Sequence, residues 1–263
     1  MTGKLMDGKR GLIMGVANDH SIAWGIAKSL SDQGAELAFT YQGDAFGRRL
    51  APLAESIGSD TVLPCDVEDI SSVDAVFAAL KEKWGTIDFI VHSVGFSDKN
   101  ELKGRYADTS RENFIKTMVI SCFSFTEIAK RAAEIMNEGG SMLTLTYGGS
   151  TKVMPNYNVM GVAKAALESS VRYLASDFGG KGIRVNALSA GPMRTLAGAG
   201  ISDARAMFNF QKIHSPLRKS ITLEDVGGSA LYLLSPLSGG VTGEIHFVDA
   251  GFNTISTPNP QDL

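Results

Sequence analysis

The alternation of short apolar runs with longer amphipathic segments is the feature that most limits how this chain can fold. Runs rich in apolar and β-branched residues, typical of strands, occur at 11–14, 36–40, 61–65, 87–93, 141–146, 183–189 and 244–249. Between the first two, Ile22, Ile26 and Leu30 share one helical face, and Gly34 suits a left-handed stop. Such alternation buries a parallel sheet between two layers of helices. The sequence therefore predicts a doubly wound α/β fold with a seven-stranded parallel sheet flanked by helices on both faces.

The size and composition of the chain limit its possible functions. A chain of 263 residues, 44% of them hydrophobic, can bury one large core but is short for two, so we expect a single domain, 1–263. The net charge of -3, without clustered Lys and Arg, gives no basis for binding nucleic acid or an anionic membrane. Small molecules and protein partners are the classes of ligand left.

The cysteines and the apolar segments predict the compartment. Cys65 and Cys122 lack the spacing of metal ligands, so no metal site is expected, and so few thiols fit a reducing cytoplasm. The N-terminal apolar run is too early and too brief for a secretion signal, and no uninterrupted apolar run is long enough to span a bilayer. We therefore expect a cytoplasmic protein.

Distinctive residues follow the predicted strands, where doubly wound sheets bind their ligands. They are Gly15 to Gly25 after the first, Gln42 after the second, Asp66 and Val67 after the third, Ser93 and Gly95 after the fourth, Tyr147 after the fifth, and 190–192 after the sixth. The first loop departs from GxGxxG: Gly15 serves the turn, Gly25 close packing, and Ser21 can cap the helix while N–H groups face a pyrophosphate. Taken alone, this loop is equally consistent with a strand–turn–helix whose glycines serve only the backbone conformation. Taken together with the residues at the other strand ends, it favours a dinucleotide-binding site.

A set of motifs in fixed order resembles a known family. They are G-x5-S-I-A-x-G (15–25), T-Y-Q (40–42), D-V (66–67), H-S-V-G-F (92–96), Y-x9-Y-x6-K (147–164), S-A-G-P-M-R-T-L-A (189–197) and G-E-I-H-F-V-D-A-G-F (243–252). From about residue 6 to about 255 the chain resembles the bacterial NADH-dependent enoyl-acyl-carrier-protein reductases of the short-chain dehydrogenase/reductase superfamily. The resemblance implies reduction of a trans-2-enoyl thioester, carried by acyl carrier protein, in fatty-acid elongation, usually by a homotetramer.

The resemblance also implies a set of site residues. Those expected to bind NADH are Gly15, Ser21, Ile22, Gln42, Asp66, Val67, Ser93, Gly95, Lys164, Met193, Arg194, Thr195, Leu196 and Ala197. Those expected to contact the substrate are Phe96, Ser97, Tyr147, Tyr157, Met160 and Met207. From the residues alone, Phe96, Met160, Met207 and Phe208 fit an acyl channel or ordinary core packing equally well.

The spacing of Tyr157 and Lys164 predicts their chemistry. If Pro155 and Asn156 open a helix that ends at 179–180, residues seven apart differ in direction by about 20°, so both side chains face the same way. The commoner superfamily spacing is Tyr-x3-Lys, which would put Met160 at the tyrosine position and Tyr147 at the usual serine position. The phenol is therefore displaced by one helical turn.

That displacement suits conjugate reduction. Hydride adds to the β-carbon of an enoyl thioester while negative charge develops on the distant thioester oxygen, so the proton donor must stand farther from the hydride than in a ketone reductase. We assign Tyr157 as the group that hydrogen-bonds and protonates the enolate, and Lys164 as the group that holds the nicotinamide ribose and adds positive charge. The alternative is a packed Tyr157 and a solvated Lys164. Tyr147 either orients the thioester or a water, or walls an apolar pocket.

Further expectations concern selectivity and partners. Gln42 is neutral and can hydrogen-bond a ribose hydroxyl, which favours NADH over NADPH. Residues 193–212 are predicted to form a substrate lid, the alternative being a surface helix. Docking of an acidic carrier protein would favour basic residues near the lid, but Arg205 is the only Lys or Arg in the segment 198–210. The expectation of carrier docking therefore rests on the resemblance. The segments 111–136 and 156–178 carry apolar residues on several faces, as helices paired across a symmetric interface or long buried helices would.

Two other functions stay open: a ketone or alcohol dehydrogenase of the same superfamily, and a dinucleotide sensor without catalysis. The displaced tyrosine counts against the first of these. An intact pair of Tyr157 and Lys164 counts against the second.

Overall fold

The computed structural model describes residues 3–193, 195, 204–257, 259 and 261, and within this range the backbone builds one parallel sheet. The strands are β1 Arg10–Met14, β2 Glu36–Tyr41, β3 Thr61–Pro64, β4 Ile87–His92, β5 Met136–Thr146, β6 Arg184–Ala190 and β7 Ile245–Val248. Their order is β3-β2-β1-β4-β5-β6-β7, and every neighbouring pair is parallel. The predicted seven-stranded sheet is confirmed.

Helices cover both faces of the sheet, as predicted. They are α1 Ile22–Asp32, α2 Asp44–Ser56, α3 Ile70–Trp84, α4 Arg111–Met118, α5 Ser124–Ile135, α6 Asn158–Gly179, α7 Ala204–His214 and α8 Leu223–Leu234. Along β1, Leu12 and Met14 belong to the core beneath α3, α5 and α6, whereas Ile13 belongs to the core beneath α1, α2 and α8. Successive side chains of a strand point to opposite faces, so both faces need an apolar cover.

The predicted end of the first helix is confirmed. Gly34 has φ +94°, which is the left-handed conformation that glycine adopts without a steric penalty. At the opposite side of the same helix, a Cβ built on Gly25 would lie 2.8 Å from Leu223 Cβ. Close approach of α1 and α8 therefore requires glycine at position 25, as expected from the sequence.

Three segments differ from the expectations. Strand β5 starts at Met136 rather than 141, because Met136 pairs with Ile87 before a register shift. The segment 111–136 is interrupted by a π-helical stretch, Val119–Phe123, between α4 and α5. The prediction that residues 155 and 156 open a helix is wrong: α6 starts at Asn158, because the positive φ of Asn156, +59°, is incompatible with a right-handed helix at that residue.

None of the helices in the described part of the chain is long and apolar enough to cross a membrane.

Candidate active site

The first strand end meets the fourth at the point where the strand order reverses. Gly15, directly after β1, has φ +92°, and a Cβ built on it would lie 1.9 Å from the carbonyl oxygen of Ser93, directly after β4. Only glycine fits a backbone approach of this kind. Residues of both loops line a crevice, as expected at the switch point of a doubly wound sheet.

One half of the crevice is a pocket of about 520 Å³ at the ends of β1 to β4. It is lined by residues from the predicted cofactor set, namely Gly15, Gln42, Val67, Ser93 and Gly95. Asp66 Oδ2 accepts a hydrogen bond of 3.0 Å from Gln42 Nε2. Gln42, the side chain predicted to bind the ribose, is thus held by Asp66, a second residue predicted to bind the cofactor.

Ser21 organises the first loop rather than the helix. Its buried Oγ accepts hydrogen bonds from the backbone N–H groups of Ala17 and Asn18, at 3.0 and 3.1 Å. It makes no capping bond to α1, so the expectation that its side chain caps the helix is wrong. The N–H of Trp24 donates to the carbonyl oxygen of Ser21, whereas the Ser21 side chain leaves the N–H groups of Ile22 and Ala23 uncapped. Uncapped N–H groups at a helix N-terminus are donors that bind phosphate in other proteins.

The other half of the crevice is a cleft of about 230 Å³ over the ends of β4, β5 and β6. It shares Ser93, Val94 and Gly95 with the 520 Å³ pocket, which we call the nucleotide pocket because it contains residues predicted to bind the cofactor. The predicted site residues that meet in it are Ile22, Ser93, Gly95, Tyr147, Tyr157, Met160, Lys164, Met193, Thr195 and Met207, together with Phe208.

Tyr157 is the buried phenol of this cleft. It lies at the N-cap position of α6 and is 8% exposed. Burial, followed by the nearby Tyr147 and Glu168, holds the pKa of Tyr157 above its ordinary value. Its ring meets that of Tyr147 edge-on, with centroids 5.1 Å apart. Tyr157 is therefore a protonated phenol next to a second one, since burial also raises the pKa of Tyr147 to about 12.

Lys164 lies across the same cleft, two turns along α6. Its side chain is buried, and Nζ donates a hydrogen bond of 2.9 Å to the carbonyl oxygen of Leu145 at the end of β5. Burial lowers the pKa of Lys164 to about 8, while Cys122 and Glu168 act in the opposite direction. A solvated lysine, the alternative left open by the sequence, is excluded.

The π-helical stretch shapes one wall. Ser121 Oγ accepts from the N–H of Phe96 and donates to its carbonyl oxygen, both at 2.9 Å, and it also lies 3.6 Å from Met160 Sδ. A π-turn widens the helix so that this hydroxyl reaches the loop after β4. Sequence reasoning missed Ser121, because an apolar pattern does not distinguish a π-turn from an α-turn.

Two predicted substrate residues lie outside the cleft. Phe96 is 46% exposed, lines the nucleotide pocket and a surface groove beside α4, and carries Lys116 Nζ 5.2 Å from its ring centroid. Ser97 lines that groove, where its Oγ accepts a hydrogen bond of 2.9 Å from Thr117 Oγ1. Their contact with substrate stays a prediction. Three predicted cofactor residues, Arg194, Leu196 and Ala197, lie outside the described residues.

The titratable side chains that line the cleft include two phenols and one amine, from Tyr147, Tyr157 and Lys164. Across the described part of the chain, no three His, Cys, Asp or Glu side chains gather as metal ligands would. A protonated phenol, an ammonium group and a second phenol line a small, mostly apolar space beside a nucleotide-sized pocket. This arrangement can hold a substrate carbonyl oxygen and supply it with a proton.

Comparisons with known proteins agree with the geometry. The family model described as enoyl-(acyl carrier protein) reductase matches residues 15–253. Enoyl-acyl-carrier-protein reductase (NADH) 2 of Rhizobium meliloti is 75% identical over 259 residues, which cover 98% of this chain and 97% of that protein.

Solved structures match over the same length. The crystal structure of FabI from Candidatus Liberibacter asiaticus superposes with a TM-score of 0.96 at 62% identity, covering 98% of this chain and 100% of that one. The enoyl-(acyl-carrier-protein) reductase of Anaplasma phagocytophilum, solved in complex with NAD, gives a TM-score of 0.94 at 56% identity, covering 98% and 97%.

Proposed function

The chain belongs to the enoyl-(acyl carrier protein) reductase family, and we propose that it uses NADH to reduce the trans-2 double bond of enoyl thioesters in fatty-acid elongation. The observation that carries this proposal is the convergence of Tyr157 and Lys164 on one buried cleft beside the nucleotide pocket. The residues present therefore supply both a cofactor position and a proton donor.

The residues at the strand ends fit a dinucleotide. Gly15 allows the backbone of the first loop to approach the base of the crevice, because any Cβ there would strike Ser93. The uncapped first turn of α1 supplies N–H donors for a pyrophosphate. Gln42 lines the pocket and is hydrogen-bonded to Asp66, so an amide suited to ribose hydroxyls and a carboxylate suited to an adenine amino group lie side by side.

Side chains of the cleft supply the proton for the reduction. NADH, when bound, supplies the hydride for the β-carbon of the substrate. Tyr157 holds a proton on its phenol oxygen and donates it as charge develops on the thioester oxygen, since burial keeps that proton in place at neutral pH. Lys164 provides the positive charge and the donors for the ribose hydroxyls. Tyr147 either orients the thioester or walls the pocket.

The apolar part of the cleft suits an acyl chain. Met160 from α6 and Met207 and Phe208 from α7 line it, and flexible methionines adapt to chains of different shape. We propose that α7, which lines the cleft with Met207 and Phe208, belongs to the lid over nicotinamide and substrate predicted at about 193–212. Within that range, residues 194 and 196–203 lie outside the described part of the chain.

We also propose that the protein acts on substrates bound to acyl carrier protein, works in the cytoplasm and forms a homotetramer. Exposed apolar side chains on α4, the π-helical stretch and α6 support self-association, because such side chains gain from burial across an interface. They are Phe114, Ile115, Phe123, Val162 and Tyr173. Sedimentation of the purified protein tests the tetramer.

One assay tests the activity. NADH absorbance is followed with a medium-chain trans-2-enoyl thioester and, separately, with the matching β-ketoacyl thioester. We expect oxidation of NADH with the enoyl substrate only. Consumption with the ketoacyl substrate alone would identify a ketone reductase, and binding of NADH without consumption in either assay would identify a sensor.

A further inference from the structure

Glu168 is a buried carboxylate that has no role in the proton transfer proposed above. It lies on α6 four residues after Lys164, one turn further along, and is 6% exposed. Thr146 Oγ1 donates a hydrogen bond of 2.6 Å to Glu168 Oε1. A buried carboxylate is costly unless it is paired, so its presence here calls for a compensating interaction.

Glu168 and Lys164 attach α6 to consecutive residues of β5. Lys164 Nζ bonds the carbonyl of Leu145, and Glu168 accepts from the side chain of Thr146, the last residue of the strand. Tyr147 follows directly. Two bonds one helical turn apart thus fix the strand end against the helix that carries the ammonium group.

The other titratable groups around Lys164 come from three elements. They are Cys122 of the π-helical stretch, His92 of β4 and Tyr157 at the start of α6. Burial raises the pKa of the Cys122 thiol and of the Tyr157 phenol and lowers the pKa of His92 to about 3, so all three are neutral near pH 7. Among these described neighbours, Glu168 is the one carboxylate.

We propose that Glu168 is a positioning residue that keeps Lys164 in its ammonium form and in register with the end of β5. The inference rests on the proposed function, in which Lys164 binds the cofactor ribose as a cation. Burial lowers the pKa of Lys164, and Cys122 and then Glu168 act in the opposite direction. Because burial raises the pKa of the Cys122 thiol, that group is neutral near pH 7, and Glu168 is the carboxylate among these neighbours. Without the carboxylate, Lys164 loses its proton closer to neutral pH and cofactor binding weakens there.

The test measures NADH affinity by fluorescence between pH 6 and pH 10 in the parent and in Glu168→Gln. The parent should lose affinity above about pH 8, where Lys164 loses its proton. In the variant that loss should begin ~1 pH unit lower, so that affinity at pH 8 is about fivefold weaker while affinity at pH 6 stays within about twofold. A pH profile that superposes on the parent's would overturn the proposal.

Three further variants separate charge from packing. Asp177→Asn removes a carboxylate from the exposed face of the same helix and should leave the profile unchanged. Glu168→Asp keeps the charge and should keep the parent's alkaline limit even if overall affinity falls. Thr146→Val keeps both charges but removes the hydroxyl, so it should weaken NADH binding at every pH. If it binds NADH like the parent, the bond between Thr146 and Glu168 has no positioning role.

The outcome is independent of the substrate. Enoyl reduction by the parent tests the proposed function, whereas the NADH profile tests Glu168. A parent that binds NADH with the expected pH limit but reduces no enoyl thioester would refute the activity and leave the role of Glu168 supported. An active parent whose Glu168→Gln variant keeps the same pH limit would refute the role of Glu168 alone.

Discussion

The ring of Tyr157 lies directly against the backbone of Gly149: a Cβ built on Gly149 would lie 2.5 Å from Tyr157 Cδ1. A second close contact supports the first, since a Cβ on Gly161 would lie 2.7 Å from the carbonyl oxygen of Gly149. The turn after Tyr147 therefore packs on the start of α6 without any side chain between them. Gly149 and Gly161 therefore set the position of the Tyr157 ring.

Gly149→Ala should displace the Tyr157 ring, because the added methyl group and the buried ring need the same space. We expect a loss of stability of about 1–3 kcal/mol and a clear fall in turnover on enoyl thioesters, with NADH affinity close to the parent's. Chemical denaturation, steady-state kinetics and NADH fluorescence measure the three quantities. Gly148→Ala is the matched control, since its Cβ would meet only Met154 Cε, at 3.7 Å. Equal turnover in the two variants would contradict this account.

Tyr157→Phe should remove the transferable proton and keep the ring. Removing one donor to a developing oxyanion costs about 10²–10³ in turnover in other enzymes, and we expect a fall of that order with NADH affinity within about twofold of the parent's. Tyr173→Phe, an exposed tyrosine on the same helix, controls for loss of a phenol. If NADH affinity in Tyr157→Phe falls as much as turnover, Tyr157 is a cofactor or folding residue instead.

Gln42→Arg should move the ratio of kcat/KM for NADPH and NADH towards NADPH, because a guanidinium pairs with the 2′-phosphate. Asp66, which accepts a hydrogen bond from the Gln42 amide, would compete with the 2′-phosphate for that guanidinium. The double variant Gln42→Arg/Asp66→Asn should therefore shift the ratio further than the single one. Kinetics with both cofactors on one enoyl substrate decide the matter, and a parent that prefers NADPH would overturn the assignment of Gln42.

His92 predicts a pH dependence of stability. It is fully buried between Thr144 Oγ1 and Ser124 Oγ, each 3.0 Å from a ring nitrogen, and burial lowers its pKa from 6.5 to about 3. As pH falls below 6.5 the unfolded chain takes up the proton first, so this contribution to stability is present above pH 6.5 and is lost towards pH 3.

The slope for one such proton is about 1.4 kcal/mol per pH unit. His92→Gln should therefore lose less of its free energy of unfolding than the parent between pH 6.5 and 4.5, although its stability at pH 7 is lower. His20→Gln, which alters an exposed histidine, should follow the parent. If the free energy of unfolding of the parent and of His92→Gln changed with pH in parallel, His92 would have the same proton affinity in the folded and unfolded chains, which would contradict this prediction.

The sequence by itself determined the fold class and the edge of the sheet that carries the site. Seven apolar runs alternating with amphipathic segments permit few folds other than a covered parallel sheet, and parallel strands bring residues far apart in sequence to one edge. Gly15, Gln42, Ser93 and Tyr147 could be assigned to the crevice for that reason alone. Lys164 is assigned from its spacing to Tyr157 and from the family resemblance.

Tertiary structure decided what depends on contacts between elements distant in sequence. Tyr157 and Lys164 share the cleft even though the helix predicted to align them starts only after Tyr157. The π-turn that brings Ser121 to Phe96, and the burial of Glu168 against Thr146, leave no periodic signal in the sequence. Hydrophobic periodicity reports which face of an element is covered, whereas the position of one hydroxyl or carboxylate depends on packing between the elements themselves.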